Sequence, residues 1–168
     1  MPLFETVHCL QAGEARLRRR RYGVIEIVDE RLAGIHLRPW PKSISLLEIA
    51  WFGRRFHRQR RGNRCLLYYN QPLRFPNFLV LKYVVSTRGT SLSAIRSSLI
   101  VLDEIARIKQ ADATLAEVSN LRISDRLLRR YGWERHLLQS RRRHYIRRFY
   151  GVYPLGITRE EEYLPRRR

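Results

Sequence analysis

The sequence predicts an α+β domain, a mixed and mostly antiparallel twisted sheet flanked by helices. Three observations predict it. Short apolar runs bounded by turn residues recur along the chain, as strands of a sheet do. One of them, Phe78–Ser86 (FLVLKYVVS), is apolar on both faces, the mark of a central strand. A polar, glycine-containing loop and then the strongest helical period in the sequence follow it directly, so the order is strand, loop, helix. The chain has 168 residues and is 44% hydrophobic, enough for one domain with a real core.

Val24–Val28 reads as a strand, a turn follows around Asp29–Arg31, and Leu32–Leu37 returns, giving a hairpin. Pro39-Trp40-Pro41 breaks the chain. Ser43–Phe56 fits neither period cleanly; Ser43 can cap a helix with Leu46, Leu47, Ala50 and Trp51 inward. Arg54–Arg64 is a basic loop, and Cys65–Tyr69 is a short strand ended by Asn70-Gln71-Pro72. The helix spans Leu92–Lys109, with Leu92, Ile95, Leu99, Leu102, Ile105 or Ala106, and Ile108 as its apolar stripe and Thr90 or Ser91 as its cap. Asp112 turns the chain into a strand at Thr114–Ser119. Ser124-Asp125 opens a short helix over Ile123–Tyr131, with Ile123, Leu127, Leu128 and Tyr131 inward, and Gly132 is placed at C′, where positive φ is cheapest. Trp133–Leu138 and His144–Tyr150 read as two further strands. Residues 1–153 make one domain, and the charged stretch 154–168 is a tail.

The net charge is +19, and lysine appears only at Lys42, Lys82 and Lys109, so the cations are overwhelmingly arginine. A coding preference in a GC-rich genome accounts for that ratio but not for the net charge. Arginine forks pair bidentately with phosphate, so the balance points to an anionic partner, a nucleic acid or another polyanion. No stretch approaches the ~20 apolar residues of a membrane span, and the first residues lack the basic and apolar regions of a secretory signal. Two well-separated cysteines, Cys9 and Cys65, form neither a disulfide framework nor a metal site, which suits the cytoplasm. His8, His36, His57, His136 and His144 show no metal-ligand spacing with acids or cysteines.

The loop between the central strand and the long helix carries the chemistry. It reads Arg88-Gly89-Thr90-Ser91-Leu92-Ser93. A helix N-terminus offers unpaired N–H groups and a positive dipole end, small residues admit a phosphate, and Arg88 adds a charge-assisted contact. The same six residues also describe an ordinary strand-to-helix turn capped by Ser91. Downstream, Ala116-Glu117-Val118 is followed by Asn120, then by Leu128, Arg129, Arg130, Tyr131, Gly132 and Trp133. This order of motifs resembles the GNAT family of N-acetyltransferases over residues 78–150, with Ser91 and Ser93 where that family has glycine and glycine or alanine. Residues 1–75 are not matched.

The resemblance implies an acyl-CoA N-acyltransferase-like fold and direct transfer of an acyl group from acetyl-CoA to an amine, without a covalent enzyme intermediate. It implies that the pantetheine arm lies between splayed parallel strands, here Phe78–Ser86 and Thr114–Ser119. Arg88, Gly89, Thr90, Ser91, Leu92 and Ser93 would then hold the pyrophosphate, and Asn120 would bond the cofactor amides. The family's tyrosine, four residues before the glycine, is Leu128 here. Glu117 is the carboxylate placed to act as base, or a strand-surface ion-pair member; Tyr131 is a donor for the leaving thiolate, or a packing residue. The run Arg141-Arg142-Arg143-His144-Tyr145-Ile146-Arg147-Arg148-Phe149-Tyr150 interleaves arginine with aromatics, a pattern that neutralises phosphates while stacking bases. The same pattern describes a hairpin with core aromatics and solvated arginines. The rival functions are a non-catalytic nucleic-acid-binding protein on this scaffold, and a relative that binds CoA without turning it over.

Overall fold

A computed structural model describes residues 5–41, 62–118, 124–137 and 143–154. Its elements are β1 (Glu5–Val7), α1 (Glu14–Arg19), β2 (Tyr22–Val28), β3 (Arg31–Arg38), β4 (Arg64–Asn70), β5 (Phe78–Ser86), α2 (Leu92–Ile108), β6 (Ala113–Glu117), α3 (Asp125–Arg130), β7 (Glu134–His136) and β8 (His144–Arg148). The strands form one sheet in the order β1-β3-β2-β4-β5-β6-β8-β7. Only the β5–β6 pair is parallel, because α2 carries the chain back across the sheet between them. The architecture is the mixed, mostly antiparallel α+β arrangement that the sequence predicts.

The hairpin β2–β3 closes through Asp29 and Glu30, both with positive φ (49° and 69°), the two-residue turn whose twist suits a hairpin. Both strands extend beyond the expected bounds. The basic run at Arg16–Arg21 is in part a helix, α1, whose Leu17 is fully buried. β1 is a short edge strand without a clear sequence signal.

α2 begins where expected: the Ser91 hydroxyl accepts the N–H of Ala94 at 3.1 Å. It ends in a Schellman motif with Gln110 at φ 52°, Gln110 N–H donating to Arg107 and Ala111 N–H to Ala106. Its buried face is Ala94, Ser98, Val101, Leu102, Ile105, Ala106 and Ile108, with Ile95 and Leu99 half-buried beside it. Leu92, expected in the stripe, is 62% exposed. It lies in the first turn, where the helix overhangs the end of the sheet. The main core packs this face and Leu17 against Ile25, Ile27, Leu67, Tyr69 and Leu79.

α3 is shorter than expected, Asp125–Arg130, with Ser124 accepting the N–H of Leu127 at 3.2 Å. Gly132 takes φ 75° and completes a second Schellman motif, its N–H donating to Arg129 and that of Trp133 to Leu128. Trp133 is therefore part of the turn, and the strand expected over Trp133–Leu138 shortens to Glu134–His136. Trp133 instead anchors a second core with Ala116 and Tyr145, to which Leu128 and Tyr131 add. The strand expected over His144–Tyr150 ends at Arg148. The helix considered over Ser43–Phe56, most of the Arg54–Arg64 loop and Ile123 lie outside the described residues.

Candidate functional site

β5 is the pivot of the site. Its ladder with β4 slips between Tyr68 and Tyr69, which face Tyr83 and Leu81 respectively, so Lys82 is the extra residue of a β-bulge. Its parallel ladder with β6 runs from Phe78↔Ala113 to Leu81↔Ala116 and stops there, although β5 continues to Ser86. A bulge bends and twists its strand, and the two strands part where Lys82 bends one of them. Beyond that point β6 keeps the pairing with β8 that it makes along its whole length, Val118 N–H donating to Arg143 O at 2.9 Å. The expectation that β5 is apolar and covered on both faces is met only in part: Leu79 is buried, while Phe78, Val80 and Leu81 are half-buried. Val84, in the second half, is 41% exposed.

The far end of β5 leads into the Arg88–Ser93 loop, which is latched to the start of β4. The Thr87 hydroxyl bonds Gly62 O and the Thr90 hydroxyl donates to Arg64 O at 2.8 Å. Ser91 N–H donates to Asn63 Oδ1 at 3.0 Å. Gly89 sits so close that a Cβ there would lie 3.1 Å from Gly62 O. The Ser91 hydroxyl, besides capping α2, donates to Glu30 Oε1 at 3.0 Å, which sets a carboxylate from the β2–β3 turn near the helix N-terminus. The N–H groups of Leu92 and Ser93 are the helix's first two and have no acceptor among the described residues. Arg88, Leu92 and Ser93 are exposed around them.

Glu117 and Tyr131 stand on opposite sides of the sheet. Ala116 belongs to the core under α3, so Glu117, next along the strand, faces away, across from His144. Tyr131 is half-buried on the helix-bearing side against the Trp133 core. Asn120, Arg141 and Arg142 lie outside the described residues.

The remaining arginines of the C-terminal run are each engaged. Arg143 donates to Asp125 Oδ1 at 2.7 Å and to Tyr145 Oη at 2.8 Å, and the Tyr145 hydroxyl donates to Asp125 at 2.6 Å. Tyr145 and Arg143 together hold the Asp125 carboxyl down at about 2. Arg148 pairs with Glu134 and Arg147 with Asp103 at 2.9 Å. Tyr145 and Phe149 are buried. Two aromatics of the run are thus core residues, while Tyr150 is 75% exposed.

Asp103 escaped sequence reasoning as a site residue. It is the one buried carboxylate among the described residues, and burial pushes it up to about 7 against the pull of Arg147. A charge one turn beyond Leu99, inside an apolar stripe, was the available signal. The bulge at Lys82 and the Asn63–Glu30 latch left no such signal, since each depends on a distant strand. Among the described residues no group of histidine, cysteine and acid side chains could hold a metal ion, and no helix is long and apolar enough to cross a membrane.

No family model and no curated protein matches the chain. Among solved structures, it is similar to a nourseothricin acetyltransferase, with a TM-score of 0.41 and 10% identity over 88% of this chain and 99% of that one. A likeness at this level fixes neither a site nor a substrate.

Proposed function

We propose that the chain transfers an acetyl or related acyl group from acyl-CoA to an amine. The observation that carries this reading is the parting of β5 and β6 at Leu81 and Ala116, directly before an exposed arginine and two open helix N–H groups. A slot between parallel strands presents backbone donors and acceptors to an extended amide-bearing arm, as a further strand would. Arg88 and the N–H groups of Leu92 and Ser93 would hold the pyrophosphate, with Glu30 displaced from Ser91 or bridged to the ligand through water. Acetyl-CoA supplies the activated acyl group, and the chain orients it.

Glu117 would take the proton of the attacking amine from the face of the sheet opposite α2. Tyr131 would act from the helix-bearing side, as donor to the leaving thiolate or as packing under the arm. Asn120 is assigned to the cofactor amides on the family resemblance. The acceptor would be acidic or carried on a nucleic acid, given the net charge of +19.

One observation favours a second reading. Ser91 and Glu30 already satisfy part of the helix N-terminus, as in a turn that binds nothing. On that reading the scaffold is a non-catalytic nucleic-acid-binding protein. Calorimetric titration of acetyl-CoA into nucleic-acid-free protein at low and high salt separates the two. Micromolar binding that persists at high salt and is lost in Arg88→Glu is the expected result. Binding that is absent, or that fades with salt like that of any polyanion, overturns the transferase and favours the second reading.

A further inference from the structure

A cavity lies on the helix-bearing face, beside the cluster in which Leu99 and Tyr131 pack with Leu81 and Ala116. It has a volume of about 420 Å³, within the range of small-ligand pockets. Three guanidinium groups line it: Arg96 of α2, Arg130 at the end of α3 and Arg147 of β8. Asp103 is the one acid in its wall. Three guanidinium groups and one carboxyl give the wall +2 with Asp103 ionised and +3 with it protonated. The rest is apolar or aromatic: Leu99, Ile100 and the Tyr131 ring.

Arg147 is held in place from three directions. Asp103 pairs with it at 2.9 Å, its guanidinium lies over the Phe149 ring at 6.0 Å, and it packs under Gly132, where a Cβ would come within 3.0 Å of Nη1. A fixed fork loses little entropy on gripping an anion. Arg96 and Arg130 are exposed and have no carboxylate partner among the described residues, whereas Asp103 and Asp125 are already paired with other arginines. Two unpaired guanidinium groups thus converge on a cavity that already contains a fixed one.

The three arginines lie outside the loop at Arg88. Arg147 pairs in register with Thr114, two residues or about 7 Å along the strand from Ala116, where β5 and β6 part.

We propose that this cavity binds a phosphate monoester: its phosphate on Arg147, Arg96 and Arg130, its organic part against Tyr131, Leu99 and Ile100. A phosphate monoester carries close to two negative charges at neutral pH, which matches the wall. Its oxygens take guanidinium forks bidentately. The chemistry has two sources, a free phosphorylated metabolite or the 3′-phosphate end of a CoA. The free-metabolite source stands apart from the acyl-transfer reading and the CoA source rests on it; none of the three arginines belongs to the loop, so Arg88→Glu separates the two sites.

The test is calorimetric titration of phenyl phosphate and of adenosine 3′,5′-bisphosphate into the full chain at fixed salt. The proteins are wild type, Arg88→Glu, Arg96→Glu/Arg130→Glu and Arg147→Lys, the last keeping a charge beside Asp103. Saturable one-to-one binding of either probe, weakened at least about tenfold in the double variant and in Arg147→Lys but kept in Arg88→Glu, is the expected result. Binding of phenyl phosphate assigns a free metabolite; binding of the bisphosphate alone, competed by CoA, assigns the nucleotide end. Unsaturable binding, or binding unchanged in the double variant, overturns the proposal. Loss in Arg88→Glu alone overturns it too and leaves the loop site standing.

Discussion

Asp103 makes stability depend on pH with a sign opposite to that of ordinary paired acids. Its carboxyl lies under α2 at 7% exposure, and burial raises it from 3.8 to about 7, although Arg147 stands at 2.9 Å. Between those values the folded chain holds a proton that the unfolded chain has lost. Unfolding free energy therefore falls as pH rises through this window and levels off above it. The gap is roughly three pH units, and each is worth about 1.4 kcal/mol, so the full effect is ~4 kcal/mol, of which ~2 kcal/mol falls between pH 5 and pH 7. Glu5, Glu26 and Asp125 are lowered, so they add stability with rising pH, but below about 4.5. Lys109, buried and lowered to about 8 from 10.5, adds stability with rising pH only above 8. The window from pH 5 to 7 is clear of all four.

The assay is urea unfolding at a series of pH values, wild type against Asp103→Asn. Asparagine cannot ionise but can still accept from Arg147, so the variant carries a constant offset and lacks the slope. The difference between the two proteins should shift by ~2 kcal/mol in favour of the variant from pH 5 to pH 7. A difference that stays flat over that range would show that Arg147 fully compensates the buried charge, and the reasoning would fail.

Two further outcomes are expected. Gly132→Ala should lower the urea midpoint by an amount equivalent to ~1–2 kcal/mol with m unchanged, because φ 75° and Arg147 Nη1 at 3.0 Å both oppose a Cβ; an unchanged midpoint would mean that the turn re-forms without left-handed backbone. Toward a thiol reagent, exposed Cys9 should react at once, and Cys65, buried with its thiol pushed up by desolvation and bonded to Ser98, only on unfolding; two equal rates in native buffer would contradict the burial of Cys65.

The sequence by itself determined the local devices. The β2–β3 hairpin, the Ser91 and Ser124 caps and Gly132 at C′ each depend on a few neighbouring residues, and each stands where the sequence places it. It also set the strand–loop–helix–strand order that surrounds the Arg88–Ser93 loop. Pairing of distant strands decided the rest. The bulge at Lys82 exists only against β4, and past Ala116 β6 stays on β8 while β5 leaves it. Leu92 fits the helical period but faces out, since the period fixes a face and not where the sheet ends. Tyr145 and Phe149 became core, and Arg147 met Asp103, because β8 packs under α2. Periodicity is read within one element. A site shared by α2, α3 and β8 is set by packing between residues far apart in the chain, and no window along the sequence contains it.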